Sequence, residues 1–204
     1  MSDFLKTKSQ FYIPEGIIYL DGNSLGPLTK KAQDRIQHTL NNEWGEMRVT
    51  GWNKAGGMDQ PNKVGDRIAR LIGAAPKTVT VGETLSIKVF QALASAINFQ
   101  KNRKVLLTDA SNFPSDIYAA QGLINMLKAD HELKIVNTDN LVENINENVA
   151  AIFFTEVDYR TGRRYDSKKI VKTAKQNGAL VILDLAHSAG AIDTNLTELD
   201  VDFA

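Results

Sequence analysis

Several short segments of this chain are uninterrupted runs of apolar and β-branched residues, and stretches with helical periodicity separate them. The clearest runs are Val105–Thr108, Val149–Thr155 and Leu180–Leu183. Strands that are apolar on both faces are typical of sheets covered on both sides. The alternation of such strands with helices predicts an α/β fold, with a mainly parallel sheet and helices on both of its faces.

The remaining elements follow from local patterns. Two weaker runs, Thr78–Val81 and Leu133–Val136, also predict strands. Apolar spacing and stop signals predict five helices. They are one that follows Pro27, one closed by Gly73, one ending near Ile97, Pro114–Leu127 and Ser167–Gln176. The stretch Gly45–Gly57, rich in glycine and tryptophan, predicts an ordered loop.

The predicted organisation is an N-terminal arm and helix in residues 1–57 and a large domain in residues 58–204. Val201–Ala204 has the pattern of the start of a further strand. A sheet normally continues beyond such a start. We therefore expect the large domain to be incomplete at its C-terminus.

Composition excludes several function classes. Lys+Arg and Asp+Glu both number 24, so nothing in the charge balance favours nucleic acid or an anionic membrane. The absence of cysteine excludes disulfides and thiolate chemistry, and three scattered histidines predict no metal site. The sequence lacks a signal pattern and a membrane-length apolar run, and we expect a cytoplasmic protein. Dinucleotide-binding and P-loop glycine motifs are also absent.

Polar residues follow the predicted strands at their carboxyl ends, where open α/β sheets bind ligands. Thr84 and Ser86 lie at a predicted helix start, where hydroxyl groups either cap the helix or help to bind a phosphate. Phe113 precedes a proline in a polar loop, where a side chain of the hydrophobic core is not expected. Asp116 is either a first-turn acid favoured by the helix dipole or part of a site.

Asp184 is the most informative of these residues, because it comes directly after four apolar strand residues. A carboxylate buried there requires a cationic partner. A protonated pyridine nitrogen, an arginine, a lysine and a metal ion all satisfy that requirement. His187 follows three residues later and, taken alone, fits an ordinary buried histidine.

Six segments together resemble the kynureninase family in order and spacing, from about Ile17 to the end of the chain. They are Asp21–Gly26 (DGNSLG), Trp44–Glu46, Gly51–Asn53, Ser111–Asp116 (SNFPSD), Tyr159–Gly162 and Asp184–Gly190 (DLAHSAG). Kynureninases are pyridoxal 5'-phosphate (PLP) enzymes of the aspartate-aminotransferase fold type, within the class-V aminotransferase group. The resemblance covers the N-terminal half of that family's length.

The resemblance implies a set of PLP-binding residues. Leu85 and Ser86, with Thr84, would hold the phosphate at a helix start, and Phe113 would stack on the pyridine ring. Asp184 would pair with the pyridinium nitrogen. The full implied set is Thr84, Leu85, Ser86, Phe113, Pro114, Ser115, Asp116, Thr155, Asp184 and His187.

The implied reaction is hydrolysis of L-kynurenine to anthranilate and L-alanine, and the family is homodimeric. The family's Schiff-base lysine lies beyond the DLAHSAG segment, whereas this chain has no lysine after Lys175. We therefore expect this chain to be inactive alone. Lys88 stands where bacterial relatives tend to have asparagine, a departure to which we assign no chemical role at this point.

Two alternatives stay open. One is a fragment of a cysteine desulfurase or selenocysteine lyase-like PLP enzyme, although those relatives usually stack a histidine where this chain has Phe113. The other is a non-catalytic chain that binds a protein partner.

Overall fold

The computed structural model describes residues 3–128 and 130–204 of the chain. These residues divide into two units, one comprising residues up to Lys63 and the other Val64–Ala204. Within the described residues, no helix combines the length and the apolar character that crossing a membrane requires.

The first unit is built from short helices. They are α1 (Asp3–Lys8), α2 (Lys30–His38), a π-helix (Thr39–Glu46), a 3-10 helix (Arg48–Thr50), α3 (Gly51–Lys54) and a second 3-10 helix (Gly57–Asp59). The predicted helix after Pro27 is therefore present. Its first turn is fixed by Thr29, whose hydroxyl accepts a hydrogen bond from the backbone N–H of Ala32 at 3.1 Å.

The prediction of a loop over Gly45–Gly57 is wrong, because most of this stretch is helical. Gly51 shows the reason: its φ of −60° is helical. A Cβ atom there would lie 2.5 Å from the carbonyl oxygen of Glu43. This glycine therefore permits close backbone packing and does not reverse the chain.

The second unit contains a four-stranded parallel sheet with the order β2-β1-β3-β4. The strands are β1 (Val105–Asp109), β2 (Glu132–Val136), β3 (Val149–Thr155) and β4 (Leu180–Asp184). All four were predicted to within one residue at each end. Every residue of β3, which pairs on both sides, is buried.

Helices cover both faces of the sheet, as the apolar strands predict. They are α4 (Gln60–Ile72), α5 (Leu85–Phe99), α6 (Pro114–Leu127), α7 (Ser167–Gln176) and α8 (Leu196–Leu199). Successive strand residues point to opposite faces, so Leu106 packs with residues of α5 and α6 whereas Leu107 packs with residues of α7. The two clusters confirm an α/β fold with a doubly covered parallel sheet.

The predicted strand over Thr78–Val81 is wrong, since these residues have no regular secondary structure and belong to no sheet. A strand needs a hydrogen-bonded neighbour, and none of the described residues pairs with this segment. The outer edge of β4 forms a single β-bridge among the described residues, between Ile182 and Phe203. Phe203 makes both backbone hydrogen bonds of this bridge. Its N–H donates to the carbonyl of Val181 at 3.0 Å, and its carbonyl accepts from the N–H of Leu183 at 2.9 Å.

The core on the α5 side of the sheet predicts a clear stability difference. Leu93 in α5 is 0% exposed, whereas Leu71 in α4 is 64% exposed. We expect Leu93→Ala to lower the free energy of unfolding by about 3 kcal/mol, because it leaves a cavity in a packed cluster. The matched control Leu71→Ala should change it by less than about 0.5 kcal/mol in the same denaturant titration. Equal effects of the two substitutions would contradict this packing.

Candidate functional site

The connections between strands place a crevice at the carboxyl edge of the sheet. The chain passes from β1 to β2 on one side, and then returns to β3 on the other side of β1. Ligands of open α/β sheets bind at such a switch in strand order. The loops that follow β1, β3 and β4 all begin at this edge.

Asp184 ends β4 and is only 7% exposed. Its Oδ1 accepts a hydrogen bond from the backbone N–H of Ala186 at 2.7 Å. Its Oδ2 is buried and has no hydrogen-bond partner among the described residues. Burial raises the pKa of this carboxyl, while the Ala186 N–H and the charge of His187 act to lower it. The free oxygen is therefore suited to a ligand that brings a proton donor or a positive charge.

Asp116 lies in the first turn of α6 and is 1% exposed. Burial, followed by the charge of Asp184, raises the pKa of Asp116 to about 6. Its Oδ1 accepts a weak hydrogen bond from the Ser115 hydroxyl at 3.3 Å. Two carboxyl groups thus influence each other at the sheet edge.

Asp116 and Asp184 line a single cavity of about 290 Å³, together with Leu85 and Lys88. The remaining lining is almost entirely apolar and includes Phe153 and Ile182. A small apolar cavity with a few convergent polar groups is the usual form of a small-molecule site.

Three aromatic rings form a cluster beside these carboxyls. The ring centroids of Phe113 and Tyr159 are 4.8 Å apart with an interplanar angle of 63°. The His187 ring lies 6.3 Å from Phe113 and 6.2 Å from Tyr159. Sequence reasoning did not assign Tyr159 to the site, although it begins the Tyr159–Gly162 segment. The available signal was an aromatic residue in a polar loop shortly after β3.

A buried hydrogen-bond network fixes the loop that carries Phe113. Asp109 Oδ1 accepts bonds from the Ser111 N–H at 2.9 Å, the Thr138 hydroxyl at 2.8 Å and the Tyr165 hydroxyl at 3.0 Å. The Phe113 N–H donates to Asn112 Oδ1 at 2.8 Å. Burial and the interaction with Asp109 contribute to raising the pKa of Tyr165 to about 12, so its hydroxyl remains a donor at neutral pH.

The other predicted site residues differ in how closely they approach this centre. Thr155 is the direct neighbour of Asp184 in the β3–β4 register, and its hydroxyl donates to the Val157 carbonyl at 2.9 Å. Pro114 is the first residue of α6 and is exposed, and its contribution is to start that helix. The structure therefore brings Leu85, Asp116, Thr155 and Asp184 together, with Phe113 and His187 in the adjacent ring cluster.

Thr84 and Ser86 are exposed at the start of α5, on either side of Leu85, and neither lines the cavity that contains Asp184. Thr84 occupies the N-cap position with an extended backbone, but its side chain makes no capping hydrogen bond. Thr84 is therefore the N-cap residue by position, as expected, but its hydroxyl leaves the first N–H groups of α5 uncapped.

Comparison with known families identifies the chain. The family described as Aminotransferase class-V matches residues 18–204. This chain belongs to the class-V aminotransferase family. Members of this family use PLP, and a cavity with a buried acid and an adjacent aromatic ring is consistent with that cofactor.

Two curated relatives are kynureninases. The chain is 42% identical over 194 residues to a kynureninase from Burkholderia mallei (strain SAVP1). This match covers 93% of this chain and 47% of the relative. It is 40% identical over 202 residues to a kynureninase from Pseudomonas fluorescens, which covers 97% of this chain and 49% of the relative. The chain thus spans about half the length of the curated relatives it matches.

Solved structures share the fold of this class-V family chain. The apo cysteine desulfurase from Thermococcus onnurineus NA1 has a TM-score of 0.76 at 18% identity, covering 99% of this chain and 52% of that one. A C-DES mutant with glycine covalently linked to its PLP cofactor has a TM-score of 0.70 at 15% identity, covering 96% of this chain and 53% of that one.

The raised pKa of Asp116 predicts a pH-dependent effect of its removal. Between about pH 4 and pH 6 the unfolded chain releases this proton while the folded chain retains it, so Asp116 makes folding less favourable as pH rises. Relative to wild type, Asp116→Asn should therefore gain about 2 kcal/mol in free energy of unfolding between pH 4 and pH 7. Urea titrations of both proteins across this range measure the difference.

Asp158 supplies a control of opposite sign. Burial favours its neutral form, but the N–H groups of Arg160 and Thr161 and the Arg160 charge outweigh burial and lower the pKa of Asp158. Its stabilising contribution is present at neutral pH and is lost on acidification. Asp158→Asn should therefore destabilise the chain more at pH 7 than at pH 3. A pH-independent difference for Asp116→Asn would contradict the assigned pKa.

Proposed function

We propose that this chain is part of a kynureninase-like PLP enzyme. The proposed reaction hydrolyses L-kynurenine, and also 3-hydroxykynurenine, to L-alanine and anthranilate or 3-hydroxyanthranilate. The buried Oδ2 of Asp184, which has no partner among the described residues, carries the cofactor part of the proposal. The kynureninase relatives at 40–42% identity support the substrate.

Each end of the cofactor has a candidate group in the chain. Asp184 Oδ2 would accept a hydrogen bond from the protonated pyridine nitrogen, and this would satisfy both the oxygen and its charge. The N–H groups at the start of α5, at Leu85 and Ser86, would bind the phosphate. When bound, PLP supplies an electron sink for cleavage of bonds near the substrate α-carbon.

The ring cluster would fix the plane of the cofactor. Phe113 would lie against the pyridine ring, and the edge-on contact with Tyr159 would hold the Phe113 ring in one orientation. His187 would lie beside the same ring, close enough to Asp184 to influence its charge. These side chains would position the cofactor and limit the access of water to Asp184.

We expect no covalent link between PLP and a lysine of this chain. The family lysine would follow the DLAHSAG segment, and the chain has no lysine beyond Lys175. We propose that these 204 residues hold PLP without a covalent bond and do not turn over substrate alone. Borohydride treatment in the presence of PLP should label no single lysine, and peptide mapping that finds one specific adduct would refute this.

Asp184 offers a direct test of the cofactor site. We expect Asp184→Asn to weaken PLP binding by about tenfold in equilibrium dialysis, because the amide cannot stabilise a pyridinium charge. Asp193→Asn, which changes an acid outside this cavity, serves as the matched control and should bind as wild type does. Unchanged binding in Asp184→Asn would remove the main support for the cofactor site.

The substrate is tested with the gene product that contains this chain. Incubation with L-kynurenine should release anthranilate, which is followed by its fluorescence, together with equimolar alanine. Cysteine serves as the competing substrate. Alanine formed from cysteine in the absence of anthranilate release would favour the cysteine desulfurase alternative.

A kynurenine-cleaving enzyme would act in tryptophan catabolism and supply precursors for NAD biosynthesis. We propose a cytoplasmic location and a homodimer for the enzyme, by analogy with the kynureninase family. Sedimentation analysis of the gene product tests the oligomeric state.

A further inference from the structure

Lys88 is the one lysine that lines the Asp184 cavity within the described part of the chain. It is the fourth residue of α5. Its ammonium is 2.6 Å from Glu83 Oε2 and 3.2 Å from Gln91 Oε1. Side chains on a helix lean toward its N-terminus. The contact with Glu83, which precedes the helix, shows that the ammonium lies near the start of α5.

Gly82 provides the space for this ammonium. A Cβ atom on Gly82 would lie 2.6 Å from Lys88 Nζ and 2.9 Å from Lys88 Cε. Gly82 does not have a positive φ, so its backbone conformation does not demand glycine. The absence of a side chain at this position therefore lets the ammonium pack against the backbone just before the helix.

Two further features indicate that a ligand with both an anionic group and a proton-donating group binds here. The first N–H groups of α5 carry partial positive charge, and Thr84 makes no capping hydrogen bond with them. Independently, the same cavity contains the buried, unpartnered Oδ2 of Asp184. A molecule with a protonated ring nitrogen and a phosphate has the complementary charge for both groups.

We propose that Lys88 binds the phosphate of PLP together with the start of α5. This inference rests on the proposed function, because it assigns one residue to the same cofactor site. Glu83 holds the ammonium in place through an ion pair and also opposes the approach of a phosphate by its negative charge. The sequence interpretation gave Lys88 no chemical role, and its position in the cavity changes that assignment.

The test compares PLP with pyridoxal, which has the same ring and no phosphate. Equilibrium dialysis of the chain should show that Lys88→Met weakens PLP binding by about tenfold and leaves pyridoxal binding unchanged. Lys88→Arg, which keeps the charge, should retain most of the affinity for PLP. Inorganic phosphate should compete with PLP on the wild-type chain and compete much more weakly on Lys88→Met.

Two neighbouring variants test the geometry and are expected to act in opposite directions. Gly82→Ala should weaken PLP binding, because the added methyl group displaces the ammonium. Glu83→Gln should strengthen it, because the competing negative charge is lost. Circular dichroism melts of all variants check that each is folded, and the pyridoxal affinity provides a second check on the integrity of the site.

The outcomes separate this inference from the proposed function. If wild type binds PLP, Asp184→Asn weakens that binding and Lys88→Met does not, the role of Lys88 is refuted and the cofactor site stands. A loss of pyridoxal binding equal to the loss of PLP binding in Lys88→Met would also refute a phosphate contact. A wild-type chain that binds neither compound contradicts both proposals.

Discussion

The pairing of β3 on both sides is the constraint on which the rest of the larger unit depends. All seven of its residues are buried, and from Ala151 to Phe154 successive side chains alternate between the two apolar clusters. This double burial requires cover on each face of the sheet, which helices supply here, and it is typical of parallel sheets. The same register sets Thr155 beside Asp184, so the geometry at the sheet edge is a direct product of the core.

The sequence predicted the elements that carry their own signal. β3 and α6 have the predicted bounds, because an apolar run and a proline at the helix start are local features. Thr78–Val81 has a strand-like composition but no neighbour, and a strand depends on its partner more than on its own residues. Gly51 was misjudged for a related reason: its role is a close contact with Glu43, which no local pattern reveals.

The site was predictable to a similar degree. Asp184 was recognisable because a carboxylate after an apolar strand is costly to bury without a partner. Tyr159 and Lys88 were not, because one acts through a ring contact with Phe113 and the other through the space above Gly82. The position of Tyr159 depends on Phe113, which is distant in sequence, and that of Lys88 depends on the missing side chain at Gly82.

The network around Asp109 has a consequence for the thermodynamics of binding. Its bonds to Ser111, Thr138 and Tyr165 order the loop that presents Phe113 as part of folding. The conformational entropy of that loop is therefore lost before any molecule arrives, and binding does not incur that loss again. Such preorganisation favours rigid docking of a flat ring over an induced rearrangement. It also ties the affinity of the sheet edge to Tyr165, a residue that never touches the cavity beside Asp184.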